Sequence, residues 1–138
     1  MRRIVIAGCV LLLLAGCASI QNKSKEKARD QTLEGYAAAL RWGGFENALS
    51  YVDPAVRAAH PLTAQQKALY NTVSIAEYET TGPVATGDDT VEQTVQLSLI
   101  VKSSQGVRNV VDHQTWRWDG TAKRWWLETG LPDITQAE

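Results

Sequence analysis

The hydrophobic period of this chain changes once, near Tyr70, and that change restricts the fold more than any other feature. Before it, apolar residues recur at helical spacing, with Leu33, Tyr36, Ala37 and Leu40 on one face. After it they alternate. Val91, Val95, Leu97, Leu99 and Val101 share one parity, and Glu92, Thr94, Gln96, Ser98 and Lys102 the other, with Gln93 and Ile100 as exceptions. Helices first and an antiparallel sheet last predict an α+β fold, with N-terminal helices packed on one face of a curved antiparallel sheet.

The helical half divides at its glycines and prolines. The spacing predicts a helix from about Lys25 to Trp42, ended or broken at Gly43-Gly44. It resumes from Phe45 to Tyr51, with Phe45, Ala48, Leu49 and Val52 as its apolar stripe. Asp53-Pro54 forces a turn, because the residue before proline avoids the helical region. Pro54 to His60 can make another helical turn, which Pro61 stops. Thr63-Ala64-Gln65-Gln66 is a capping box that opens a short helix to about Leu69. Strands are expected over 72–80, 91–102, 107–118 and 124–129. Turn signals stand at Gly82-Pro83, Gly87-Asp88-Asp89, 103–106 and 119–123. Residues 131–138 read as a frayed tail.

The last two strands carry four of the five tryptophans. Placing Trp118 opposite Trp125 sets Trp116 opposite Leu127, so one face is Trp116, Trp118, Trp125 and Leu127. The other face then sets Arg117 opposite Trp126, where a cation–π contact is available. A slip by one residue would put Trp116 opposite Glu128 and spoil the apolar face. Trp116, Trp118 and Trp125 are the candidate ligand-binding residues, an aromatic wall for a sugar, peptidoglycan fragment or apolar ligand. Core packing is the simpler use of the same indoles, since no disulfide within the mature chain is available to help.

The N-terminus looks like an export signal. Arg2 and Arg3 precede an apolar run from Ile4 to Leu14, too short to span a bilayer as a mature helix. The run closes on Leu14-Ala15-Gly16-Cys17, which resembles the lipobox of bacterial lipoproteins. That resemblance implies cleavage before Cys17, acyl chains on Cys17, and a membrane anchor through them. Ala18, not Asp, at the following position implies sorting to the outer membrane in enteric bacteria. Residues 1–16 are then a signal peptide. Residues 17–29 are the lipidated cysteine and a polar tether reaching at most roughly 40 Å when extended. Residues 30–134 are the folded domain. Lys23, Lys25, Lys27 and Arg29 in the tether are either solvated or set against head groups or an acidic partner. Cys9 leaves with the signal, so Cys17 is the one cysteine that remains. Without Arg2 and Arg3 the 14 basic residues fall to 12, against 15 acidic ones, a net charge of −3. That balance argues against a nucleic-acid partner.

Gly43-Gly44-Phe45-Glu46-x-Ala48, running on to Tyr51-Val52-Asp53-Pro54, resembles the helical opening of NTF2-like (cystatin-like) domains. Trp116-x-Trp118-Asp119-Gly120 with Trp125-Trp126-Leu127 resembles their closing hairpin. The resemblance spans about residues 28–134. It implies a sheet curled around the helices into a cone, and in the isomerase-like and cyclase-like enzymes of that fold an acid/base group inside it. Asp112, His113, Glu77, Glu79 and Tyr36 are the candidates. Asp112 is the weak catalytic candidate that parity favours: it shares a face with Val110, Trp116 and Trp118 and points inward unless a bulge intervenes, leaving His113 outside. His60 and His113 are the only histidines, so no metal site and no cofactor are expected. The expectation is a lipid-anchored envelope protein facing the periplasm, whose domain is non-catalytic and binds a partner protein, a second copy or a small apolar ligand. An enzyme using Asp112 and a structural accessory subunit of an envelope complex are the alternatives.

Overall fold

A computed structural model describes the backbone of residues 2–136 and the side chains of residues 18–136. Helix α1 runs from Arg2 to Ala38. It passes into a π turn at Ala39–Gly43, α2 (Gly44–Ala48) and a 3-10 turn at Leu49–Tyr51. Two short helices follow, α3 (Pro54–Ala59) and α4 (Ala64–Tyr70). Strands β1 (Val73–Thr80), β2 (Val84–Gly87), β3 (Thr90–Val101), β4 (Val107–Asp119) and β5 (Arg124–Leu127) form one antiparallel sheet. The order is β1-β3-β4-β5, and β2 pairs with β3 beyond the end of β1. The sheet curls strongly and the N-terminal helix packs against it, so the expected α+β cone is present.

Residues 18–29 depart from the expected tether. They are helical, continuous with the rest of α1. The buried face of α1 runs back from Leu40, Tyr36 and Leu33 to Ala28 and Lys25 at the same 3.6-residue spacing. Lys25 occupies an inward position with its amine 5.6 Å from the Trp125 ring centroid and 2.5 Å from the Asp89 carboxylate. A hydrophobicity pattern has no way to register a lysine used in this manner.

The broken helix at Gly43-Gly44 is observed, and its geometry explains the glycine. Gly44 sits at φ 77°, a left-handed backbone that a side chain disfavours. The capping box is formed in both directions: Thr63 Oγ1 accepts the Gln66 N–H at 3.1 Å, and Gln66 Oε1 accepts the Thr63 N–H at 2.9 Å. Strand β2 lies where turn signals alone were expected; with four exposed residues it has no burial pattern to reveal it.

The tail is docked, not frayed. Pro132 and Ile134 are buried, and Tyr70 Oη donates to the Pro132 carbonyl at 3.0 Å. Arg108 donates to the Ile134 carbonyl. The Gln136 side-chain amide bonds both backbone groups of Val111, accepting at 3.2 Å and donating at 2.9 Å. Strand β5 covers only residues 116–119 of β4, so the tail protects an edge of β4 that would otherwise be open.

The core sits between α1 and the concave face of the sheet. Tyr36, Val95, Leu97, Leu99, Trp116 and Leu127 are at 0–1% exposure. The Tyr36 ring meets Trp116 edge-on at 5.2 Å and Tyr51 at 5.8 Å.

Candidate functional site

Strands β3 and β4 pair without a bulge from Thr90↔Arg117 to Ile100↔Val107. Parity therefore holds along both strands. It turns Gln93, Val95 and Leu97 inward from β3, and Val110, Asp112, Gln114 and Trp116 inward from β4. The two register pairs Gln93↔Gln114 and Val95↔Asp112 bring three polar side chains together inside an apolar cone.

These side chains satisfy one another. Gln114 Nε2 donates to Asp112 Oδ2 at 2.8 Å, and Gln93 Nε2 donates to Gln114 Oε1 at 2.8 Å. Trp116 Nε1 donates to the same Oε1 at 3.1 Å, and Thr80 Oγ1 donates to Gln93 Oε1 at 2.9 Å. Tyr78 Oη joins at 3.2 Å from Gln114 Nε2. Burial raises the Asp112 pKa, against the opposing pull of its Gln114 hydrogen bond and of His113. Burial likewise pushes Tyr78 up to about 12. Tyr36 lies fully buried, its pKa raised well above the ordinary value first by burial and then by the Asp112 charge. Its hydroxyl makes no hydrogen bond among the described residues.

Of the five acid/base candidates, Asp112 and Tyr36 are inside the cone. His113, Glu77 and Glu79 are exposed on the outer face of the sheet. The sequence reading missed Gln93 and Gln114 as partners of Asp112. The signal was there: Gln93 interrupts the apolar parity of β3, and Gln114 shares the parity of Asp112. A polar residue at an inward position needs a polar partner inside.

The tryptophan hairpin has the expected register, Trp116↔Leu127, Arg117↔Trp126 and Trp118↔Trp125. Trp116 is fully buried and Trp125 is at 2% exposure, so both pack in the core. Trp118 keeps partial exposure and stands 5.6 Å from the Trp125 ring. The Trp125 indole donates to the Lys25 carbonyl at 3.0 Å, which ties the hairpin to α1. The expected Arg117–Trp126 stack is replaced: Arg124 covers Trp126 at 3.6 Å. Arg117 instead reaches across to the helical layer, donating to Asp53 Oδ2 at 2.6 Å and to Glu128 Oε1 at 3.0 Å. Asp53 also caps α3 by accepting the Ala55 N–H at 2.8 Å, and the Arg117 hydrogen bond holds its pKa below the usual carboxylate value.

Three clefts flank this framework. One of about 410 Å³ lies between α1 and the last hairpin and is lined by Gln21, Asn22, Lys25, Trp118 and Lys123. One of about 500 Å³ lies on the outer sheet face around Glu92, Thr94, His113 and Thr115. The third, about 420 Å³, lies between α3, α4 and the tail. Asp112 lines none of them.

The side chains of Arg2, Arg3, Cys9 and Cys17 lie outside the described residues, and the lipidation site Cys17 with them. Among the described residues no helix is long and apolar enough to cross a membrane. Among the same residues no three His, Cys, Asp or Glu side chains are placed to hold a metal ion. No protein-family model matches this chain, and no curated protein matches it.

Proposed function

We propose that this chain is a lipid-anchored envelope protein whose NTF2-like domain binds a ligand or partner and performs no chemistry. The observation that carries the non-catalytic part is the filled cone. Trp116, Tyr36 and Leu97 occupy the space where a substrate would sit, and Asp112 is tied to Gln114. A general base needs a path to a substrate proton, and Asp112, 7% exposed, lines none of the clefts among the described residues.

The anchoring part rests on Leu14-Ala15-Gly16-Cys17. The helical course of residues 18–29 adds a geometric consequence. Lys25, whose carbonyl receives the Trp125 indole, stands eight helical steps beyond Cys17, which at the helical rise is about 12 Å. The domain then stands close above an outer-membrane surface on its periplasmic side, on a stiff stalk whose Lys23 and Lys27 are exposed.

The enzyme alternative draws support from one feature, the raised pKa of Asp112 beside the unbonded Tyr36 hydroxyl. Two measurements separate the readings. Metabolic labelling with a fatty acid is expected to mark the wild-type chain and not Cys17→Ser; label on both would refute the anchor. Asp112→Asn is expected to leave envelope function intact. Loss of function in that variant at unchanged melting temperature would favour the enzyme.

A further inference from the structure

The cleft of about 410 Å³ between α1 and the last hairpin is lined by an indole, neutral hydrogen-bonding side chains and lysines, and by no carboxylate. Its indole is Trp118. The other indoles of the hairpin are satisfied inside the chain: Trp116 donates to Gln114 Oε1, Trp125 to the Lys25 carbonyl and Trp126 to Asp119 Oδ2. The Trp118 N–H has no acceptor among the described residues, and unlike the sealed donors of Arg57 and Arg124 it is open to solvent.

Gly120 lines the same cleft and keeps that N–H uncovered. A Cβ at position 120 would stand 3.8 Å from Trp118 Nε1. The backbone does not demand a glycine there, because its φ is not in the left-handed region. The turn is held instead by Asp119, whose Oδ1 accepts the Thr121 and Ala122 N–H groups at 3.0 Å. Across the cleft stand Gln21, Asn22 and Ser24 of α1, whose side chains make no hydrogen bond among the described residues. Lys25 is already engaged by Asp89 and the Asp88 carbonyl. Lys123 forms no ion pair among the described residues and is the free cation of the cleft. The bonds from Trp125 and Asp89 to Lys25 fix the two walls relative to each other before any ligand arrives.

These walls match a polar molecule that has one apolar face. A pyranose ring is such a molecule. Its C–H face lies against an indole, and its rim hydroxyls both donate and accept, as an amide side chain does. A free lysine with no carboxylate beside it favours a ring that carries an acid group. The volume falls at the small end of the range for small-molecule sites. We infer that the cleft between α1 and the β4–β5 hairpin binds an acidic pyranose sugar. The ring lies against Trp118, its hydroxyls meet the Trp118 N–H, Gln21 and Asn22, and its acid group faces Lys123. The inference rests on the reading of the domain as a binding module and names what it binds.

The test titrates the purified full-length protein, held in phosphatidylcholine nanodiscs, with glucuronate, glucose and cyclohexanol. The indole N–H NMR signal of Trp118, assigned by its loss in Trp118→Phe, reports occupancy. The signals of Trp116 and Trp126 report that the fold is unchanged. Glucuronate is expected to move the Trp118 signal saturably, with glucose about 2- to 5-fold weaker, the range for one exposed ion pair. Lys123→Gln should abolish that preference. The double variant Gln21→Ala, Asn22→Ala should weaken glucuronate about 10-fold at unchanged melting temperature, and Gly120→Val should weaken it by covering the N–H. The inference is overturned by no saturable shift with glucuronate up to about 100 mM, far above a millimolar dissociation constant. Cyclohexanol binding as well as the sugars, or full affinity in the double variant, would overturn it too. The sugar recovered after saturation separates this inference from the reading beneath it: a converted sugar would sink the non-catalytic reading and leave the cleft assigned, and fatty-acid labelling tests the anchor independently of both.

Discussion

Replacing Tyr36 with phenylalanine should make this protein more stable. The hydroxyl is buried and makes no hydrogen bond among the described residues, so folding strips its water and returns nothing. An unsatisfied buried polar group costs about 1–3 kcal/mol. Tyr36→Phe removes that cost and keeps the ring, so the edge contacts to Trp116 at 5.2 Å and Tyr51 at 5.8 Å survive. The void left by one oxygen atom returns a fraction of the gain, for a net of about 1–2 kcal/mol. In a domain of this size that raises Tm by about 4–8 °C. Thermal melts followed by near-ultraviolet circular dichroism, with urea midpoints beside them, measure it. A fall in stability would refute the argument, because it would mean the hydroxyl has an acceptor. A double-mutant cycle with Asp112→Asn identifies that acceptor. A coupling above about 0.5 kcal/mol would assign the bond to Asp112, and a smaller one is expected.

Other consequences are equally direct. Asp112 has a raised folded pKa, so its contribution is present in full below the unfolded aspartate value and is lost as pH rises through the folded value. Asp112→Asn keeps an acceptor for Gln114 and should stabilise the protein at neutral pH, with the gain vanishing in acid; a pH-independent difference would contradict this. Asp53 has the opposite sign, since Arg117 lowers its pKa: its stabilisation is present above the unfolded value and is lost as pH falls through the folded one. Asp53→Ala should cost about 1–3 kcal/mol through the lost cap and the broken link to Arg117, measured as a urea midpoint shift. At Gly35 an added methyl would come within 2.6 Å of Tyr51 Oη, so Gly35→Ala should destabilise and Tyr51→Phe should rescue it. A chain beginning at Asp30 should be about 1–3 kcal/mol less stable than one beginning at Ala18, because it lacks the Lys25 carbonyl that receives Trp125 Nε1; equal stability would show the first turns of α1 to be idle.

Local pattern was enough wherever the cause was local. The two periods, the glycine break, the capping box and the register of the tryptophan hairpin are each set by residues within a few positions of one another. Apolar parity then required Asp112 to face inward once no bulge intervened, and it did. Segments whose order depends on distant partners were invisible. Residues 18–29 have no apolar stripe of their own; the docking of Lys25 and Ala28 on the hairpin is what orders them. The tail reads as polar and free, yet Ile134 is buried and Gln136 closes an open strand edge.

The sequence by itself determined the class of fold, the faces of its strands and the identity of the groups inside. Periodicity is a property of neighbours along the chain, and burial follows from it. Tertiary structure alone decided what those groups do. It paired Asp112 with Gln114, filled the cone with Trp116 and Tyr36, and turned Arg117 from Trp126 to Asp53. Each of these turns on which atoms meet across residues far apart in sequence, and a one-dimensional pattern carries no such distance.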